Sequence, residues 1–270
     1  MGIADLVPGV SGGTIALIAG IYPRLINAIA SINLKTLQMV LKGQIKMAWK
    51  QIDGWFLLAV FMGMISSIFL FASLIKFLLA NHSVLTWSFF FGLIVSSAAL
   101  LVINHKSKHV LNWFLLTFGV FIGYILSTQS IAGMPTGSMG LFIAGMIAIS
   151  AMILPGISGS LILILLGQYQ TILSAVENRD WQTLFIFAAG CLVGLMIFSR
   201  LLKWLLAHFH QATIYTLAGL MLGTLFKVWP WKSAIGNIWP LNHAQPQLIY
   251  AMCMMGLATL FVVMLSRIEK

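Results

Sequence analysis

The chain has 270 residues, of which 60% are hydrophobic and 7% charged, and its mean hydropathy is +1.02. Soluble domains carry roughly 25% charged residues, and no water-soluble core of this length hides so much apolar surface, so the bilayer is the solvent. The net charge of +10 does not point to nucleic acid, because the basic residues are scattered between apolar spans instead of being gathered in one basic domain.

The first element is a helix-breaking motif in apolar sequence, Asp5-Leu6-Val7-Pro8-Gly9-Val10-Ser11-Gly12-Gly13-Thr14. No basic stretch and small-residue cleavage site mark a signal peptide around it. Segment 33–50 follows, with Leu34, Leu37, Val40, Leu41 and Ile45 at spacings of three and four and Lys35, Lys42, Lys46 and Lys50 between them. That pattern predicts either a basic amphipathic helix on the membrane surface or a solvated loop. Six spans are predicted at 54–80, 84–104, 110–128, 183–207, 211–228 and 247–266, each long enough for ~20 residues to cross the hydrocarbon core. Between the third and fourth, after a connecting loop at 129–140, the motif returns as Met152-Ile153-Leu154-Pro155-Gly156-Ile157-Ser158-Gly159-Ser160-Leu161. The register runs on without a gap, Ile15 meeting Ile162, Gly20 meeting Gly167, Tyr22 meeting Tyr169 and Ala28 meeting Ala175. The apolar arms 141–154 and 161–176 each reach only ~21–24 Å, short of the ~30 Å core, which predicts a re-entrant hairpin.

The expected fold is therefore an all-α polytopic membrane protein with two repeats, 1–128 and 141–270, each a re-entrant helical hairpin plus three transmembrane helices. Three intervening spans invert the second copy, which makes the repeat an inverted-topology one. With segment 33–50 in the cytoplasm, Arg24, Lys35, Lys42, Lys46, Lys50, Lys106, Lys108, Arg200, Lys203, Arg267 and Lys270 fall inside, against Lys76, Arg179, Lys227 and Lys232 outside. Trp55, Trp87, Trp113, Trp181 and Trp204 fall near span ends, where an aromatic belt belongs.

The chemistry rests on the two breaks. Proline suits a first helical turn, glycine lets backbone approach a ligand, and half-helix N-termini offer free N–H groups to an anion. Pro8, Gly9, Ser11, Gly12, Gly13 and Thr14, and Pro155, Gly156, Ser158, Gly159 and Ser160, are the candidate phosphate ligands. The same small residues also suit tight helix packing. Asp5 caps the first half-helix, binds a coupling cation or proton, or sits in the interface; Tyr22 and Tyr169 are candidates for gating. Arg24 and Arg200 are either phosphate partners through their guanidinium forks or side chains that snorkel to the cytoplasmic face. The six histidines fall in loops or at span ends, and His208-Phe209-His210 lacks a carboxylate or cysteine that would make it a metal site. Cys191 and Cys253 read as buried structural thiols. No nucleophile–base pair or carboxylate pair lies in the apolar region, so no enzyme, metal or cofactor is expected.

At Met1 to Thr14, at Gly20-Ile21-Tyr22, and again at Leu154 to Ser160 with Gly167 and Tyr169, the chain resembles the bacterial polyprenyl-phosphate transporter family over essentially its whole length. The resemblance implies a multi-pass carrier in the cytoplasmic (inner) membrane that returns undecaprenyl phosphate, the lipid carrier of cell-wall precursors, from the outer to the inner leaflet. Members usually begin with a longer basic segment, whereas here the motif starts almost at Met1, so either the entering arm of the first hairpin is short or the true start lies upstream. The residues alone leave open a secondary transporter of a small soluble anion and, from another class, a membrane enzyme acting on a lipid phosphate.

Overall fold

The computed structural model describes residues 1–7, 10–128, 137–233 and 236–268. The first half runs α1 (Gly2–Asp5), α2 (Gly12–Ile18), α3 (Tyr22–Ala30), α4 (Leu34–Leu41), α5 (Ile45–Gln51), α6 (Gly54–Asn81), α7 (Ser83–Asn104) and α8 (Val110–Thr128). The second runs α9 (Gly137–Ile153), α10 (Gly159–Leu165), α11 (Tyr169–Glu177), α12 (Trp181–His208), α13 (His210–Gly223) and α14 (Leu248–Ile268). A 3-10 turn, Thr224–Phe226, extends α13, and a two-stranded antiparallel ribbon, β1 (Lys232–Ser233) with β2 (Gly236–Asn237), lies in the loop before α14.

The chain is an all-α polytopic membrane protein. Among the described residues, five helices, α6, α7, α8, α12 and α14, are long and apolar enough to cross a bilayer, and the total rises to seven if each bent pair counts as one span. Five of the six predicted spans match these helices closely. The sixth, 211–228, is shorter as a helix: α13 stops at Gly223 and tightens into the 3-10 turn. Protein surrounds it, with Ile214, Tyr215, Leu217, Ala218, Leu220 and Met221 all buried.

Both motif regions bend sharply. α2 and α3 meet at 117°, and α10 and α11 at 110°. Gly20 and Gly167, which the repeat aligned, turn the chain at φ +62 and +67, a left-handed conformation that costs glycine nothing. The arm predicted as one helix over 161–176 is thus two helices. Its partner, α9, starts at Gly137, inside the segment read as connecting loop; 129–136 lies outside the described residues. Segment 33–50 is likewise two helices rather than one. Asn33 caps α4 by accepting from Thr36 N–H at 3.0 Å, and Gly43 at φ +74 separates α4 from α5. Leu34, Leu37, Val40, Leu41 and Ile45 are all exposed, as an interfacial apolar face requires.

Packing crosses between the halves. α8 lies against α13, α14 against α7, and α7 against α13, while α12 holds α9 and α3 and α6 holds α1. α6 and α12, which open the three-helix part of each half, both run 28 residues. The two thiols are free; Cys191 is half-buried and Cys253 exposed, so the latter is not the buried thiol the sequence suggested.

Candidate functional site

The two motifs touch each other in the interior. Ser11 is extended and caps α2, its Oγ accepting from Gly13 N–H at 3.1 Å. The same hydroxyl is directed at the carbonyls of Met152 and Leu154, 3.4 Å from each. Thr14, fully buried, accepts from the Gly156 N–H at 2.9 Å. Tyr22, 1% exposed, donates its O–H to the Ile153 carbonyl at 3.1 Å. Three side chains of the first motif region therefore satisfy the broken backbone of the second, which buried polar groups inside a bilayer demand.

Glycine is required where the backbones close. A Cβ on Gly13 would lie 2.9 Å from the Ile153 carbonyl oxygen, and one on Gly156, at φ +86, 2.8 Å from Met221 Cα. Asp5 is a cap: its Oδ1 accepts from the Gly12 N–H at 2.6 Å, placing a carboxylate on the first turn of α2.

The second motif is the open one. Ser158 stands at the start of α10 with extended backbone yet caps nothing; its hydroxyl pairs with Ser160 at 2.8 Å. Ser158 is half-buried and Ser160 exposed, beside Gly159 packed on α9. Pro155 lies in the buried turn before them. Pro8 and Gly9 lie outside the described residues.

The other sequence candidates sit elsewhere. Arg24 forms a forked ion pair with Asp53, at 2.6 and 3.1 Å, and stacks over Phe56 with 4.4 Å to the ring centroid. The pairing holds the Asp53 carboxyl below its ordinary range. Arg200 donates to the Ile32 carbonyl at 3.2 Å. Both arginines are exposed and belong to the packed pair α3 and α12. Tyr169, the repeat partner of Tyr22, is 37% exposed rather than buried. Sequence reasoning did not find Asp53 as the partner of Arg24, since the two are separated by α4 and α5. It also missed that Thr14 would serve the second motif, and that His105 and His210, from different halves, would meet with ring centroids 5.2 Å apart. Among the described residues no group of three histidine, cysteine or acidic side chains is placed to hold a metal.

An apolar cavity of about 640 Å³ lies beside the first motif, between α1, α2, α6 and α7, with Ile3, Ile15, Met64, Phe90 and Phe261 among its walls. Its flank on α6 includes Leu70, a side chain 72% exposed where the helix faces lipid.

Two relatives align over most of this chain. A protein of Vibrio cholerae serotype O1 described as a polyprenyl-phosphate transporter is 42% identical over 247 residues, which is 92% of this chain and 80% of the relative. One of Staphylococcus aureus with the same description is 32% identical over 248 residues, 85% of this chain and 83% of the relative. No solved structure matches the chain. The profile described as undecaprenyl phosphate translocase-like matches residues 1–245. With that match across a bilayer-sized helical fold and both Pro-Gly-x-Ser-Gly breaks, the chain belongs to the undecaprenyl phosphate translocase-like family.

Proposed function

We propose that this protein moves undecaprenyl phosphate across the bacterial cytoplasmic membrane, from the outer to the inner leaflet, returning the lipid carrier for further envelope synthesis. The observation that carries the reading is the direct contact of the two motifs, Thr14 to Gly156 and Tyr22 to Ile153, in the interior of a helical membrane protein. The names of the two relatives supply the substrate.

In this reading the halves are an inverted repeat of two re-entrant hairpins. The exchange of partners supports it: the third span of each half packs on the second span of the other. The phosphate meets Ser158, Gly159 and Ser160 first, because the Ser158 and Ser160 hydroxyls pair with each other and cap no helix. Ser11, Gly12, Gly13 and Thr14 are closed on Met152, Leu154, Asp5 and Gly156 here, and take the phosphate when those contacts exchange. Pro155 and Gly156 shape the turn of the second motif. Arg24 and Arg200 neutralise the headgroup at the cytoplasmic end, since a dianion cannot cross ~30 Å of hydrocarbon unaccompanied. The isoprenoid chain stays in the lateral apolar cavity and the bilayer beside it. In this reading the protein is a carrier rather than an enzyme, which the transporter names of the two relatives support.

The test is reconstitution. Liposomes with and without the protein are loaded with a polyprenyl phosphate in the outer leaflet, and its leaflet distribution is followed by headgroup accessibility. Protein-dependent equilibration with the lipid unchanged supports the proposal. Uptake of labelled inorganic phosphate without lipid movement would favour the soluble-anion carrier, and conversion of the lipid would favour an enzyme.

A further inference from the structure

A groove of about 460 Å³ lies between α7, α8 and the end of α13, apart from the cavity beside the first motif. Rings make much of its wall: Phe91, Phe121, Tyr124, Phe226 and Trp229. Thr117 and Tyr124 both line it, so it follows α8 for about 10 Å at 1.5 Å per residue. It opens sideways to lipid, since Phe121, Tyr124 and Phe226 are exposed. Edge-on contacts hold the rings in place, Tyr124 on Phe226 with centroids 5.4 Å apart and Trp229 on Phe91 at 5.6 Å.

Two lysines stand at one end of this groove. Lys227 directly follows Phe226 and is exposed. Lys232 donates to the Lys227 carbonyl at 2.8 Å and lies over the Trp87 ring, one turn of α7 before Phe91. Asn237, paired with Lys232 in the ribbon, donates to the Phe226 carbonyl at 2.7 Å, so the ribbon fastens both lysines to the rim. The two ammonium groups feel each other: burial, and after it the charge of Lys227, lower that of Lys232. No carboxylate answers them, because the one ion pair among the described residues is Arg24 with Asp53. Neighbouring like charges are costly until an anion joins them. Trp239 and Leu241 of the same loop are exposed, and with Trp87 and Trp229 they make an amphipathic belt of the kind that sits at headgroup depth. The same element also reaches the second motif. Met221 Cα and Thr224 Oγ1 lie 2.8 and 3.1 Å from where a Cβ on Gly156 would stand.

We propose that Lys227 and Lys232, with the aromatic groove beside them, form a docking site for a polyprenyl phosphate still in its leaflet, before it reaches either motif. The phosphate monoester takes the two ammonium groups, which bind it as point charges. The first isoprene units lie along the groove, their methyl branches packed on the rings. In the topology proposed above the site is on the outer side, where the lipid is collected. The identity of the lipid rests on the transport reading; the pairing of two cations with an apolar groove does not.

The test is photo-crosslinking on the full chain in phosphatidylcholine nanodiscs, with a polyprenyl phosphate that carries a diazirine in the isoprene unit nearest the phosphate. Label is expected on Tyr124, Phe226 or Trp229, and should fall about tenfold or more in Lys227→Gln, Lys232→Gln. Lys227→Arg, Lys232→Arg should keep it. So should Lys106→Gln, Lys108→Gln, which removes the same charge from the loop between α7 and α8. Competition on the unmodified chain needs no variant. Unlabelled polyprenyl phosphate should displace the probe at about a tenth of the concentration required of polyprenol or phosphatidylglycerol. Equal displacement by phosphatidylglycerol would reduce the site to a general anionic-lipid contact, and equal displacement by uncharged polyprenol would remove the lysines from it. Either result overturns the proposal, as does label that avoids the groove. In liposomes the glutamine variant should need about tenfold more lipid for half-maximal translocation and keep its maximal rate. An unchanged lipid dependence would overturn docking and leave the transport reading in place. Groove labelling without lipid movement in the unmodified protein would defeat the transport reading and leave docking standing.

Discussion

Thr14 is where one atom joins two parts of the chain that the sequence keeps far apart. Its hydroxyl is the acceptor for a buried Gly156 N–H. Thr14→Val keeps the shape and removes the acceptor, so it should cost about 1–3 kcal/mol, the penalty of an orphaned buried donor. Thr14→Ser should recover most of that, as read by the thermal midpoint in detergent. Ser158 and Ser160 should behave in the opposite manner. Their mutual bond is exposed and caps nothing, so Ser158→Ala, Ser160→Ala should leave the melting temperature unchanged. Polyprenyl-phosphate translocation should fall about tenfold or more, as the loss of a charge-assisted hydrogen bond predicts. Retained transport in the double variant would remove these hydroxyls from the headgroup path. The sequence showed that hydroxyls stand at both breaks. It could not show that one pair is closed and the other open, because that depends on which carbonyls each helix finds opposite.

At the scale of elements, the bends after each motif are set by single glycines. Gly167 has open space where a Cβ would go, so Gly167→Ala tests backbone strain alone. A non-glycine residue at φ +67 costs about 1–2 kcal/mol, and the bend between α10 and α11 should loosen by that amount in hydrogen exchange. The loop between α13 and α14 holds a different device. Lys232 lies 3.5 Å from the Trp87 ring centroid and donates to the Lys227 carbonyl at 2.8 Å. Burial, and after it the charge of Lys227, pull its ammonium down to about 8, outweighing the ring. An unfolded lysine titrates near 10.4. The folded chain therefore loses this proton first, the unfolded chain binds more protons between about pH 8 and 10.4, and stability rises with pH through that window. Lys232→Met should flatten the rise in a pH series of thermal unfolding. The Gly20–Gly167 alignment was legible in the repeat. The lysine on its tryptophan was not, since Trp87 belongs to the other half and no spacing rule links them.

For the whole molecule, the arrangement of ends makes an accessible test of topology. In the proposed topology α6 to α8 alternate direction, and α12 to α14 do the same. The loops at Glu177–Trp181 and Lys232–Asn237 should therefore label from one side and those at Lys42–Gln44 and Lys106–His109 from the other. Single cysteines placed there in a chain lacking Cys191 and Cys253, reacted with an impermeant maleimide, decide it. Labelling of Arg179→Cys and Lys42→Cys from the same face would sink the re-entrant reading of the second hairpin.

What the sequence determined by itself is what composition and period control. Apolar runs of bilayer length must become helices, because no other backbone satisfies its hydrogen bonds in lipid. Proline and glycine must break them, and the two Pro-Gly-x-Ser-Gly motifs stand where the apolar helices are interrupted. The tertiary structure decided everything that depends on who meets whom. It split 161–176 and 33–50, shortened the span at 211–228 against the second motif, sent Arg24 to Asp53, and set His105 beside His210. Periodicity carries no information about such contacts, since helix faces of equal apolarity pack equally well on many partners in lipid, and the choice falls to close glycine contacts and buried polar pairs.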